Sequence, residues 1–302
     1  MADVFVLGSI NQDFVLKVER RPRPGETVTN AELSTHNGGK GANQAAAAAL
    51  LGASVTILGR VGGDEFGEPL VRSLEAKGID TSLVERATDA STGAAFITVT
   101  PDGENAITVA PGANRSLTPE DVEAAADAIG DSRVLVAQME IPLGTVLRAV
   151  EVAVERGTRA LVNLAPVLEV PRGLLEVLDP LVVNEHEAGF LLGSKVEGVE
   201  GALSAAPKLL SLGPRSAVIT VGEDGAVLAA EDESVRHLPA PRVEVVDTTG
   251  AGDAFVGALA TRLARGATLE DAVGYAVRAG AAAVTREGAQ GALPTPEVVE
   301  SL

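Results

Sequence analysis

Short apolar runs recur between stretches of helical pattern, and that alternation restricts this chain more than any other feature. The runs lie at residues 4–7, 55–58, 134–137, 160–163, 181–183 and 217–221. They show no in–out alternation, so each reads as a strand covered on both faces. Parallel strands need a crossover between them, and the helical patterns supply it. The expected fold class is therefore α/β, three layers with a mostly parallel central sheet flanked by helices. A chain of 302 residues can hold this as one large domain with an attached subdomain.

A second kind of strand interrupts the rhythm. Residues 14–18 and 27–33 mix polar and apolar positions around Arg21-Pro22-Arg23-Pro24-Gly25, which is turn chemistry. Residues 94–99 and 106–109 flank Pro101-Asp102-Gly103-Glu104, whose Asp-Gly pair predicts a hairpin. Together these predict a small separate β-sheet, a lid from about 13–36 and 92–110 on a single domain spanning 1–302. Helices are expected from Gly39 to Gly52 and over residues 64–77, 251–265 and 269–285. Another opens at Thr118-Pro119-Glu120-Asp121, with Thr as N-cap, Pro at N1 and an acid at N3. Further strands are expected at 226–230 and 243–246.

Charge and composition exclude several functions. A net charge of -18 opposes a protein that grips nucleic acid or an anionic membrane. Aromatic residues are 2% of the chain, so platforms for stacking bases are scarce. There is no Cys, hence neither a disulfide nor a thiolate metal site. Apolar runs such as 45–51 are far shorter than a bilayer span, and no basic n-region precedes the first strand, so the expected compartment is the cytoplasm.

Two segments carry chemistry. In Asp247-Thr248-Thr249-Gly250-Ala251-Gly252-Asp253-Ala254-Phe255, small residues turn a strand into a helix. Free N–H groups and the helix dipole favour an anion there, and the small residues let one approach. Asp253, in the first helical turn, is positioned to accept a proton from an attacking hydroxyl. In Asn37-Gly38-Gly39-Lys40-Gly41-Ala42-Asn43-Gln44-Ala45, glycines cluster before a helix, and Lys40, Asn43 and Gln44 interrupt an apolar region. No Gly-x-x-x-x-Gly-Lys-Ser/Thr loop occurs, and Phe255 stands where a dinucleotide fingerprint needs Gly.

This pair of segments resembles the two signatures of the PfkB, or ribokinase-like, family of carbohydrate kinases. The resemblance runs from Gly8-Ser9-Ile10-Asn11-Gln12-Asp13 to Thr285-Arg286-Glu287-Gly288-Ala289-Gln290. It implies ATP-dependent phosphorylation of a sugar hydroxyl, O5 if the sugar is ribose, with Mg2+ on the phosphates. Asp253 would be the base, and Gly250, Ala251 and Gly252 the anion hole. Asn11, Asp13, Gly39, Lys40, Asn43 and Glu140 would bind the sugar. Asn184 and Glu187 would organise Mg2+ and phosphates, largely through water, and Thr220, Gly222 and Gly225 would contact ATP. Asp247 and Thr249, with carbonyls of Ala283, Arg286 and Gly288, would hold an activating K+. Two positions depart from relatives: Ala292 replaces a Ser that completes the K+ site, and Val277 replaces a polar residue near the base. The resemblance further implies a homodimer paired through the lid. Alternatives within it are a fructose, nucleoside or keto-deoxy sugar acid kinase, or a non-catalytic sugar-binding relative.

Overall fold

All four residues of β1 (Val4–Leu7) are fully buried, and alternate ones enter different cores. Val4 and Val6 pack on one side of the sheet, Phe5 and Leu7 on the other. A strand with no polar face requires two covering layers, and the fold supplies them. The structure, a computed structural model, describes residues 2–101, 105–231 and 234–302. The predicted turn at Asp102-Gly103-Glu104 lies outside the described residues.

The remaining strands are β2 (Asn11–Lys17), β3 (Glu32–Gly38), β4 (Val55–Gly62), β5 (Asp80–Ala87), β6 (Gly93–Val99) and β7 (Asn105–Ala110). Then come β8 (Val134–Ala137), β9 (Arg159–Asn163), β10 (Leu181–Asn184), β11 (Ser216–Thr220), β12 (Ala226–Ala230) and β13 (Arg236–Leu238). Helices are α1 (Lys40–Leu50), α2 (Gly67–Glu75), α3 (Pro119–Ala124), α4 (Ala126–Gly130), α5 (Leu143–Arg156) and α6 (Arg172–Leu175). They continue as α7 (Glu185–Leu192), α8 (Gly198–Leu210), α9 (Ala251–Ala264), α10 (Leu269–Ala283) and α11 (Pro296–Glu300). None among the described residues is long and apolar enough to cross a membrane.

Nine strands form the main sheet in the order β13-β12-β11-β10-β9-β8-β1-β4-β5. It is parallel except for the antiparallel pairs β11–β12 and β12–β13. Residues of α1, α2, α9 and α10 fill the core on one side, and residues of α5 and α8 the core on the other. The predicted α/β class and mostly parallel sheet are therefore observed. A separate small sheet has the order β3-β2-β6-β7, with β2 and β6 parallel and the outer pairs antiparallel.

Two predicted strands are corrected. Residues 27–31 are irregular, and β3 starts at Glu32. The ladder explains this: β2 ends at Lys17, which pairs with Glu32, so earlier residues have no strand to bond. Residues 243–246 are likewise irregular, and β13 occupies 236–238 instead. Pro239 and Pro241 each lack an N–H to continue a ladder. The segment is pinned instead to a helix end, with Val246 N donating to the Val284 carbonyl at 2.8 Å.

Helix ends follow local chemistry closely. Thr118 and Asp121 form the expected capping box on α3. The α2 helix begins three residues later than predicted, because Asp64 stays outside it and accepts from the N–H groups of Phe66 and Gly67. Contact between α1 and α9 is close enough to demand small residues. A Cβ on Gly257 would lie 2.5 Å from the Ala47 Cβ and 2.8 Å from the Gln44 carbonyl oxygen.

Candidate active site

The glycines before α1 have a packing reason as well as a conformational one. Gly39 caps the helix at φ 89, and a Cβ there would lie 2.7 Å from the Ser9 carbonyl oxygen. One on Gly41 would lie 2.6 Å from Ser9 N. Only bare backbone lets the start of α1 lie on the corner between β1 and β2. That corner is at the C-terminal edge of the parallel strands, where open α/β sheets place ligands.

Several predicted sugar-side residues meet there. Glu140, just beyond β8, accepts from Ser9 Oγ at 2.5 Å and from Lys40 N at 3.1 Å. Asn11 is buried, and its Oδ1 accepts from Asn114 Nδ2 at 2.7 Å. Asn114 Oδ1 in turn accepts from Ile10 N at 3.0 Å. Asp13 is buried with its carboxylate against Gly38, and among the described residues its Oδ1 has no hydrogen-bond partner. Burial, followed by the charges of Glu140 and Asp253, pushes the Asp13 carboxyl up to about 7. Burial opposes the Lys40 ammonium, but Asp253, Glu140, Glu187 and Asp13 outweigh it and hold the pKa above the usual lysine value.

Gly250 takes the left-handed conformation, φ 78, that starts α9, and a Cβ on it would lie 2.9 Å from Ala289 Cα. Among the described residues no acceptor bonds the N–H groups of Gly250, Gly252 or Asp253, while that of Ala251 reaches the Thr248 carbonyl at 3.3 Å. A Cβ on Gly252 would meet nothing within 4 Å. Unpaired donors beside open space at a helix N-terminus are a site for an anion.

Asp253 is 8% exposed and both carboxylate oxygens are bonded. Asn43 Nδ2 donates to Oδ2 at 2.9 Å, and Gln44 Nε2 donates to Oδ1 at 3.0 Å. Gln44 also reaches Asn163 and Gln138. Gln290 Nε2 donates to Asn43 Oδ1 at 3.1 Å. Asn114, Gln138, Asn163 and Gln290 carried no role in the sequence reading. Asn114 follows Pro111-Gly112-Ala113, a small-residue turn that was the one available signal among them.

A cavity of about 140 Å³ touches Asp253, Lys40, Asn184, Glu187, Gly250 and Gly252. It adjoins a groove of about 240 Å³, with Thr220, Gly252 and Phe255 common to both. Gly222, Gly225 and Val277 also line that groove. Asn184 and Glu187 form a capping box on α7: Asn184 N donates to Glu187 Oε2 at 2.7 Å, and Glu187 N to Asn184 Oδ1 at 2.9 Å. Burial raises the Glu187 carboxyl above its usual range.

Asp247 ties its loop together. Its Oδ1 accepts from Thr249 N and Oγ1, and its Oδ2 from Gly288 N at 2.8 Å. Burial works against the carboxylate, but these bonds keep its pKa below the usual value. Among the described residues, no donor bonds the carbonyl oxygens of Arg286 and Gly288, whereas that of Ala283 accepts a long 3.4 Å bond from Arg286 N. Ala292 is buried and offers no hydroxyl.

Comparison with known proteins identifies the family and the fold. The model of the pfkB family carbohydrate kinases matches residues 1–296. A ribokinase of Staphylococcus aureus (strain COL) is 39% identical, over 99% of each chain. The ribokinase structure from Thermotoga maritima superposes with a TM-score of 0.90 at 35% identity, covering 100% of this chain and 99% of that one. An Arabidopsis thaliana ribokinase complexed with ribose and ATP also gives 0.90, at 29% identity over 99% and 98% of the two chains.

Proposed function

Since the chain belongs to the pfkB family of carbohydrate kinases, we propose that it transfers the γ-phosphoryl group of ATP to O5 of ribose in the cytoplasm. The observation that carries the reading is the position of the Asp253 carboxylate. It lies beside the unpaired N–H groups at the start of α9, between the nucleotide groove and the sugar-side polar cluster. Relatives named ribokinase, one solved with ribose and ATP, support the choice of substrates.

Asn11, Asp13, Lys40, Asn43 and Glu140, with the backbone at Gly39, bind the sugar hydroxyls. The Asp13 carboxylate, which lines a cavity, accepts from sugar hydroxyls, a role for which a carboxylate suits a diol. Thr220, Gly222 and Gly225 line the nucleotide groove. Asp253 takes the O5 proton as the new O–P bond forms and the bond from the γ-phosphorus to the bridging oxygen of ADP breaks. The N–H groups of Gly250 and Gly252 stabilise the phosphoryl oxygens, with Ala251 contributing once its long bond to Thr248 is released. Positioning and electrostatics supply most of the rate in such a transfer.

Two ions belong to this reading. Asn184 and Glu187 are already committed to each other, which suits holding Mg2+ through water. Mg2+ neutralises charge on the ATP phosphates when bound. The Asp247 carboxylate and the unbonded carbonyls of Arg286 and Gly288 fit a K+, with Thr249 and Ala283 beside them. The small sheet acts as a lid over the sugar and pairs with a second copy. Its exposed Leu33, Phe96, Ile107 and Val109 support that pairing.

Asp253→Asn is expected to cut kcat by about a thousandfold or more while ATP binding and the fold persist. The check is a coupled assay over a panel of sugars, with and without K+, beside nucleotide titration. Near-normal turnover of that variant would remove Asp253 from the role of base.

A further inference from the structure

We infer that Gln44, itself held by Gln138, is a positioning residue that locks the Asp253 carboxylate in the orientation that meets the acceptor hydroxyl. The inference rests on Asp253 being the base.

Gln44 and Gln138 are buried, at 1% and 0% exposure, and on α1 a run of alanines, 45–49, follows Gln44. Burying an amide without using its polar atoms is costly, so the bonds it makes there matter. Gln44 uses all of its main capacity. Its Nε2 donates to Asp253 Oδ1 at 3.0 Å and to Asn163 Oδ1 at 3.1 Å. Its Oε1 accepts from Gln138 Nε2 at 2.7 Å. Turning the amide over would aim its oxygen at two acceptors, one of them a carboxylate, so the network admits one orientation. Gln138 is confined in turn, since its Oε1 lies against Gly8 where no Cβ would fit.

The other oxygen of Asp253 is held by Asn43, the residue next to Gln44 on α1. The carboxylate is thus gripped at both oxygens from one helix turn, and each oxygen keeps a further lone pair. Two amide donors on different oxygens fix the plane of the carboxylate. Phosphoryl transfer draws much of its rate from such alignment.

The test compares Gln44→Met, Gln44→Glu, Gln138→Met and the Gln44→Met/Gln138→Met double variant with the native enzyme and Asp253→Asn. Gln44→Met is expected to lower kcat about 10- to 100-fold with KM for ribose and ATP within about threefold. Gln44→Glu sets a second carboxylate beside Asp253 and is expected to move the acid limb of the kcat–pH profile upward by about one unit or more. Gln138→Met should lower kcat less, and the double variant no further than Gln44→Met alone, because Gln138 acts through Gln44. Should Gln44→Met fail to fold, the split between kcat and KM in Gln138→Met serves instead. A Gln44→Met kcat within twofold of native, with Asp253→Asn inactive, would overturn the inference and leave the base intact. Loss of kcat accompanied by equal loss of nucleotide affinity and a lower melting temperature would also overturn it, by reducing Gln44 to packing. An active Asp253→Asn would instead remove the reading beneath it.

Discussion

Asp13 pits stability against binding at a single residue. Its carboxyl titrates near 7 in the folded protein against 3.8 ordinarily, through burial and the nearby acids. The folded state therefore holds a proton that the unfolded chain releases, and stability falls as pH rises between those values. Asp13→Asn should raise the melting temperature at pH 8 by roughly 3 °C or more, with a smaller gain at pH 5. The same variant should weaken ribose binding, and in the native enzyme the ribose KM should climb as pH drops below 7. Calorimetry and initial rates across pH check both. The two glycines of the anion turn separate along the same line. Gly250→Ala forces a side chain into φ 78 and against Ala289, and should cost about 1–3 kcal/mol of stability. Gly252→Ala meets no protein atom, so it should fold normally yet lower kcat/KM for ATP about tenfold or more by occupying the space beside the free N–H groups. Denaturant melts and kinetics together distinguish them.

At the scale of elements, the site depends on how closely α9 lies on α1. Gly257 is one helical turn beyond Asp253, and Ala47 one turn beyond Asn43, so the contact between the small residues sets the reach of the polar ones. Gly257→Ala should push the helices apart, costing about 1–3 kcal/mol and lowering kcat with it. Chemical denaturation and initial rates test this. Alanine-rich helices, which from composition look like filler, are thus the device that brings Asn43 and Gln44 to the carboxylate. The Asn184–Glu187 pair shows a second economy: one capping box both ends a strand and starts a helix beside the same cavity.

For the whole molecule, the small sheet leaves large apolar side chains uncovered. Val109, Ile107, Phe96 and Leu33 are 44%, 57%, 45% and 62% exposed, and β3 and β7 are open edges. Such a surface calls for a partner. Sedimentation should find a dimer, and Ile107→Lys should shift it toward monomer with a higher ribose KM. A dimer unaffected by that change would move the interface elsewhere. The exposed Lys17–Glu287 pair, which joins the small sheet to the loop held by Asp247, adds little stability of its own.

Residues 4–7 and 134–137 determined the layered sheet by themselves, since a strand without a polar face is stable only between two covering layers. Thr118-Pro119 and Gly250 determined local ends, because caps and left-handed turns are decided within a few residues. Strand pairing was different. The start of β3 depends on where β2 ends, β13 displaced the strand expected at 243–246, and β5 was not expected at all. The partners of the site were equally out of reach. Gln138 meets Gln44 across 94 positions and Gln290 meets Asn43 across 247, and a lone amide leaves no periodic mark in a sequence. Local chemistry can name an acid at a helix start, but only the packed chain decides which donors hold it still.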